Sequence, residues 1–185
     1  MSKRSDQIAG TIRTVDKLER EWMGKVPAAG DATHTPWMPF PRHEFVAMLA
    51  DAVADADGGD RFLEIGCGPG TKMMLADSIF DLNVQGVERV PEYVAQARQM
   101  GLLVHEADAA DWKGYGEYDI VWFNRPFRDR EAQAALEALV WDELRTGAVV
   151  MCANLEGKPP SSWYPIDDDW EVRRGIWQKL PFRVT

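Results

Sequence analysis

Three glycines at alternate positions, Gly66, Gly68 and Gly70, directly follow a short apolar run at residues 61–65. Glycine adopts backbone conformations that are unfavourable for other residues, and it places no Cβ between the chain and a ligand. A helical pattern begins immediately afterwards, and the first turn of a helix offers free N–H groups and the positive end of a dipole. The spacing therefore predicts a strand-to-helix turn that binds a nucleotide-like ligand.

The residues that end this loop distinguish it from two common classes of nucleotide-binding loop. Dinucleotide sites use G-x-G-x-x-G, in which the third glycine lets the helix pack against the strand. Here Thr71 stands at that position, because the last glycine comes one place early, at Gly70. A phosphate-binding Walker loop is excluded as well, since Lys72 follows Thr71 and reverses the required Lys-Ser/Thr order. A nicotinamide dehydrogenase is therefore a less favoured reading.

The loop resembles the first motif of class I S-adenosylmethionine-dependent methyltransferases, an apolar pair and an acid before G-x-G-x-G. Further motifs follow in the order of that family, so the resemblance extends over about residues 43–155. It implies a Rossmann-like fold and S-adenosylmethionine as the cofactor. The residues that it assigns to cofactor binding are Glu64, Gly66, Cys67, Gly68, Gly70, Glu88, Arg89, Asp108, Ala109 and Asn124.

Four of these residues have more specific expectations. Glu88 closes the second strand, and its two carboxylate oxygens can accept hydrogen bonds from both ribose hydroxyls. In the family an acid after the third strand receives the adenine amine, so Asp108 is the candidate here, with Asp111 as the alternative. Asn124 ends the fourth strand, whose carboxyl end faces the sulfonium and the acceptor in the family. Cys67 is expected only to pack within the loop.

Asn124, Arg125 and His43 are the candidate catalytic residues. Methyl transfer from a sulfonium requires alignment and desolvation, and some acceptors also need a base. We expect Asn124 and Arg125 to face the acceptor, while a strand-end turn with a salt-bridged Arg125 is the alternative. His43 is the candidate for proton transfer, with a structural role as its alternative. The expected pocket walls are aromatic: Trp37, Phe40 and Phe127.

The sequence Asn124-Arg125-Pro126-Phe127 invites comparison with amino-methyltransferases that act on adenine or glutamine, which carry Asn/Asp-Pro-Pro-Tyr/Phe at this place. Here arginine replaces the first proline, which removes a rigid turn and adds a cation. Methylation of a nucleobase is therefore less favoured than transfer to a small molecule or a protein side chain. Because no base stands out, the first alternative to a methyltransferase is a non-catalytic module that binds the cofactor or a partner.

A sheet must bring these residues together. The strands predicted at 61–65, 83–87, 102–105, 118–123 and 148–153 alternate with helices at 71–80, 91–100 and 130–144. This alternation implies a parallel sheet covered by helices on both faces. We expect an α/β, Rossmann-like, mostly parallel sheet of seven strands or slightly fewer. Beyond it we expect a loop at 155–169 and terminal antiparallel strands within 171–180.

The first 42 residues are expected to form a unit that precedes the cofactor-binding domain at 43–185. Apolar residues spaced by three and four predict an amphipathic helix over 6–24, and prolines predict a loop over 25–42. A helix over 43–56 opens the domain. We expect the N-terminal unit to cap the active site, while packing on the domain and a homodimer contact are the alternatives.

Charge and composition restrict the partners. The 185 residues carry a net charge of −9, and the clustered cations of a nucleic-acid binder are missing, so a small molecule or a basic protein segment fits better.

Neither a membrane span nor a signal peptide is visible, and Cys67 and Cys152 suit a reducing cytoplasm. No metal is expected, because His34, His43 and His105 lack ligand spacing.

Overall fold

One seven-stranded sheet organises the protein, which we describe from a computed structural model over residues 3–23, 33–169 and 174–180. The strand order is β3-β2-β1-β4-β5-β7-β6. The strands are β1 (Arg61–Ile65), β2 (Asn83–Glu88), β3 (Leu103–Glu106), β4 (Ile120–Asn124), β5 (Val149–Ala153), β6 (Trp163–Asp169) and β7 (Arg174–Lys179). Strands β1 to β5 are parallel, and β7 runs antiparallel to both β5 and β6. The predicted fold class is confirmed.

Helices cover both faces of the sheet. They are α1 (Lys3–Trp22), α2 (Arg42–Asp55), α3 (Thr71–Phe80), α4 (Pro91–Gln99) and α5 (Arg130–Glu143), with a single 3-10 turn at Tyr115–Glu117. Successive strand residues point to opposite faces, so Phe62 and Trp122 enter the core under α2 and α3, whereas Leu63 and Phe123 enter the core under α5. None of the described helices is both long and apolar enough to cross a bilayer.

The tail differs from the predicted loop at 155–169, because residues 163–169 form the edge strand β6. The alternation of buried and exposed residues that usually predicts a strand is weak here. Tyr164, Asp167 and Asp168 are all exposed, because β6 lies at the edge of the sheet and pairs with β7 alone. A register shift between Pro165 and Asp167 breaks the pattern further. The prediction of a loop there was wrong, because β7 supplies a pairing partner that local propensity does not reveal. The antiparallel strand expected within 171–180 is present as β7.

Helix α1 packs along α3. The Thr11 hydroxyl donates a hydrogen bond of 2.9 Å to Ser78 Oγ, and Val15 and Leu18 are buried in the contact region. The segment that continues from α1 falls partly outside the described residues, which resume at Thr33. From there residues 33–40, named the strap below, run to α2. The cap predicted for residues 1–42 stays a prediction.

Candidate functional site

The glycine loop has the backbone geometry that its spacing predicts. Gly66, Gly68 and Gly70 have φ angles of 71°, 53° and 83°, which L side chains rarely adopt. The Gly66 and Cys67 amides both donate to the carbonyl oxygen of Val87, at 2.8 and 3.2 Å, and so tie the loop to β2. A Cβ on Gly68 would overlap the indole ring of Trp37 from the strap. The middle glycine therefore allows the strap to lie directly on the loop.

A cavity of about 990 Å³, open to solvent, lies at the carboxyl edge of β1, β2 and β4. This is the edge where open parallel sheets bind ligands. Six of the ten residues assigned to the cofactor line it: Glu64, Gly66, Glu88, Arg89, Ala109 and Asn124. Cys67, Gly68, Gly70 and Asp108 do not. The strap forms the opposite wall with Trp37 and Phe40, and Phe127 adds a third aromatic ring.

Glu88 anchors the glycine loop from the end of β2. Its Oε2 accepts a hydrogen bond of 2.9 Å from the Gly68 amide, and its Oε1 accepts one of 2.8 Å from the Val90 amide. Burial raises the pKa of this carboxyl, and the backbone hydrogen bonds partly offset that effect. Each oxygen keeps a second lone pair. One side chain can therefore hold the loop in shape and still accept hydrogen bonds from a ligand.

Glu64 places a second buried carboxyl against the cavity. Burial raises its pKa to about 8, while the positive charge of Lys72 and a hydrogen bond with the Met73 backbone act in the opposite direction. Its Oε2 is buried without a hydrogen-bond partner among the described residues. A buried polar atom without a partner costs free energy, so a bound group that donates a hydrogen bond here would be favoured.

Replacing Glu64 by glutamine should change how stability depends on pH. In the folded protein the carboxyl keeps its proton up to about pH 8, whereas the unfolded chain loses it above about pH 4.5. Ionisation of the unfolded chain therefore removes stability as pH rises through this interval. We expect Glu64→Gln to become progressively more stable than the wild type across the interval, as measured by denaturant unfolding at several pH values.

Glu131→Gln, a substitution of an exposed acid on α5, is the matched control. It should follow the wild-type pH profile throughout. A constant difference between wild type and Glu64→Gln from low to high pH would contradict the assignment of a protonated, buried Glu64.

The Asp108 carboxylate contacts His34 of the strap. Its Oδ2 lies 2.9 Å from His34 Nε2 and 4.0 Å from Arg89 Nε, and its Oδ1 accepts a hydrogen bond of 3.0 Å from the Ala110 amide. His34 also stacks on Phe127, with the ring centroids 4.8 Å apart. The neighbours of Asp108, Ala107 and Ala109, line the cavity, but its carboxylate does not. The predicted adenine contact would therefore require the His34 interaction to be shared or displaced.

Asn124 and Arg125 both line the cavity at the end of β4. Asn124 Oδ1 accepts a hydrogen bond of 2.8 Å from Asn154 Nδ2, and Arg125 lies 2.5 Å from Glu156 Oε1. Arg125 has φ of 45°. Proline cannot adopt that angle, since its ring fixes φ near −65°. The turn therefore differs in backbone conformation from the Asn-Pro-Pro-Tyr/Phe turn of the amino-methyltransferases.

The cavity lining does not include two of the histidines or either cysteine: His43, His105, Cys67 and Cys152. The His43 side chain is 86% exposed at the start of α2, outside the cavity, because α2 turns this position toward solvent. His105 contacts Gln85 Oε1 at 3.0 Å on β3. Cys67 and Cys152 are fully buried, and burial raises the pKa of both thiols, which suits packing. The described residues contain no cluster of ligands that could hold a metal ion.

Three cavity residues were not singled out from the sequence. Lys72 is buried and forms an ion pair of 2.9 Å with Glu19 of α1. Thr35 Oγ1 and the Tyr93 hydroxyl are buried without a hydrogen-bond partner among the described residues. Burial raises the pKa of Tyr93 to about 12, so its hydroxyl stays protonated and can donate. Only the position of Lys72, directly after the loop, offered a signal in the sequence.

Comparison with protein families gives a match. The sequence profile of the family described as "Methionine biosynthesis protein MetW" matches residues 43–149, which include the glycine loop, β1 to β4 and α5. No curated protein sequence matches the chain.

Solved structures share the fold. An RNA methyltransferase from Salinibacter ruber in complex with S-adenosyl-L-homocysteine is 19% identical, with a TM-score of 0.61 over 80% of this chain and 97% of that one. The N-methyltransferase NodS from Bradyrhizobium japonicum WM9 is 10% identical, with a TM-score of 0.56 over 76% and 96%.

The amino pentose methyltransferase CalS10 from Micromonospora echinaspora, bound to S-adenosylmethionine, is 23% identical, with a TM-score of 0.52 over 60% and 49%. The chain spans about half the length of this and two other structures that it matches. The likeness shows that the chain has the class I methyltransferase fold.

Proposed function

The chain belongs to the family of the methionine biosynthesis protein MetW, and from this premise we propose that it is an S-adenosylmethionine-dependent methyltransferase acting on a small molecule or a protein side chain. The observation that carries the proposal is the cavity at the carboxyl edge of the sheet. The glycine loop, Glu88 and Asn124 meet there, at the end of three parallel strands. Solved methyltransferases with this fold have been crystallised with S-adenosylmethionine or S-adenosylhomocysteine.

The residues present fit this cofactor. Glu88 has lone pairs left to accept from ribose hydroxyls, and the unpartnered Glu64 Oε2 suits a donor such as an ammonium group. The cavity is lined by both apolar and polar groups, as ligand sites usually are. The glycine loop allows a close approach by the ligand, since Gly66 lines the cavity and places no Cβ between the backbone and a ligand.

When bound, the cofactor supplies an activated methyl group on a sulfonium, which an acceptor lone pair takes as the carbon–sulfur electron pair returns to sulfur. The chain contributes alignment and exclusion of water. Asn124 and Arg125 orient the acceptor from the end of β4, and Trp37, Phe40 and Phe127 wall the pocket. Neither lining carboxyl is a ready base, because Glu64 holds its proton to about pH 8 and Glu88 is engaged by two amides. His34, which lies 2.9 Å from Asp108 Oδ2, also lines the cavity and is the imidazole placed to accept a proton there.

Calorimetric titration is the first test. We expect S-adenosylmethionine and S-adenosylhomocysteine to bind at one site per chain, and NAD to show no heat of binding, because Thr71 replaces the third glycine of a dinucleotide site. Binding of NAD without either sulfur ligand would overturn the proposal.

Methyl transfer is tested separately, with cofactor carrying a labelled methyl group and extract of the source cells as a pool of acceptors. Asn124→Ala should abolish transfer, and its affinity for S-adenosylhomocysteine, measured by calorimetry, separates loss of acceptor alignment from loss of the cofactor contact assigned to Asn124. Asn83→Ala, an exposed asparagine at the opposite end of the sheet, is the control and should behave as wild type. Cofactor binding without any transfer would favour the alternative of a non-catalytic module. A cytoplasmic location and a homodimer stay predictions.

A further inference from the structure

The strap brings one buried hydroxyl to the acceptor side of the cavity. Thr35 donates its backbone N–H to the carbonyl oxygen of Pro126 at 2.9 Å, directly beside the turn that ends β4. The carbonyl of Thr33 accepts from the Arg128 amide at 2.7 Å, so the backbone here is held on both sides. Thr35 Oγ1 is nonetheless buried with no hydrogen-bond partner among the described residues. Such a hydroxyl is stabilised by a ligand atom that accepts its proton.

The neighbouring Arg125 brings a positive charge to the same wall. Its φ of 45° is a left-handed conformation that is costly for an arginine, and such strain is characteristic of functional positions. Its side chain is 26% exposed and lines the cavity. Glu156, the carboxylate behind it, is shared with Arg130, whose Nε lies 2.9 Å from Oε2. Two guanidinium groups thus face the Glu156 carboxylate, while the buried Glu137 carboxyl accepts hydrogen bonds from the Glu156 and Gly157 amides.

The carboxylates of the cavity lie on the other side. Among the described lining residues the acids are Glu64 and Glu88, which belong to β1 and β2 and face the cofactor half. The half made by the strap and residues 124–127 presents donors and aromatic rings, without an acidic side chain in its described lining. A cationic acceptor would meet Arg125 there with no carboxylate to pair with. An anionic oxygen would meet a hydroxyl donor and a guanidinium.

Resting on the methyl transfer proposed above, we infer that the acceptor is a small molecule with a carboxylate on an apolar or aromatic body. Thr35 Oγ1 and the Arg125 guanidinium hold the carboxylate, and Phe40, Trp122 and Phe127 contact the body. Guanidinium groups match the two oxygens of a carboxylate in geometry as well as in charge. This inference separates the small-molecule acceptor from the basic protein segment that the overall charge of −9 also allowed.

The test uses three probes that differ in one group: 3-phenylpropionate, 3-phenylpropionamide and 3-phenylpropylamine. Each is titrated into the full chain saturated with S-adenosylhomocysteine, and again into the chain alone, with binding followed by ligand-observed NMR. We expect the carboxylate to bind about tenfold more tightly than the amide, and the amine to bind most weakly. Thr35→Val and Arg125→Gln should each weaken the carboxylate about tenfold and weaken the amide, which is an uncharged acceptor, by a smaller factor.

Two further variants make the result specific. Thr35→Ser keeps the hydroxyl and should keep the carboxylate preference, whereas Arg128→Gln, an exposed arginine outside the cavity, should change nothing. Equal affinity for the three probes, a preference for the amine, or no binding of the carboxylate would overturn the inference. Failure of S-adenosylhomocysteine to bind would instead overturn the proposed function, and the titration without cofactor would then judge the carboxylate site by itself.

Discussion

Replacement of Glu88 by alanine is expected to lower the affinity for S-adenosylhomocysteine by about 100-fold, because two amide hydrogen bonds and the proposed ribose contact depend on one side chain. The Gly68 and Val90 amides would lose their acceptor, and the glycine loop would lose its attachment to the end of β2. Calorimetry measures the loss directly, and circular dichroism shows whether the fold is kept.

Glu88→Gln sharpens this test. Glutamine keeps the shape of the side chain, but one of its two terminal atoms becomes a donor that must face a backbone N–H. We therefore expect an affinity close to that of the alanine variant. Glu92→Gln changes an exposed acid on the same side of the sheet and should leave binding unchanged. If Glu88→Ala bound the ligand as the wild type does, the ribose and loop assignments would both be wrong.

Replacement of Lys72 by methionine should lower the free energy of unfolding by about 3 kcal/mol, since it breaks a buried ion pair and leaves Glu19 with only the more distant Arg42, at 4.0 Å, as a countercharge. The Lys72 side chain is 4% exposed and that of Glu19 is 15% exposed. Loss of the ammonium group also removes the positive charge that opposes the raised pKa of Glu64. Chemical denaturation followed by fluorescence and by circular dichroism measures the change.

A matched control lies on α1, the helix that carries Glu19. Lys17 and Glu21 are 3.8 Å apart with side chains 70% and 44% exposed, so Lys17→Met should alter stability by less than about 0.5 kcal/mol. The double variant Glu19→Leu with Lys72→Met should recover much of the lost stability, because it removes the unpaired charge. Equal effects of Lys17→Met and Lys72→Met would show that the pair between α1 and α3 contributes no more than a surface contact.

Local patterns identified the elements that carry the site. The glycine loop was readable because positive φ angles at Gly66, Gly68 and Gly70 require that residue type at fixed spacing. The central strands were readable because a parallel strand buried on both faces is a continuous apolar run, as in β4 and β5. Strand β6 was missed, since an exposed edge strand shows no such run.

The sequence by itself determined the fold class, the backbone conformation of the glycine loop, and the placement of Glu88 and Asn124 at strand ends. These follow from short-range spacing, which the backbone converts directly into geometry. Tertiary structure alone decided which side chains meet across the cavity. It paired His34 with Asp108, buried Lys72 against Glu19, bonded Thr35 to Pro126, and left His43 in solvent. Those contacts join positions that are far apart in the chain. Their energies depend on the burial and charge of side chains from several elements, which no single segment of the sequence reveals.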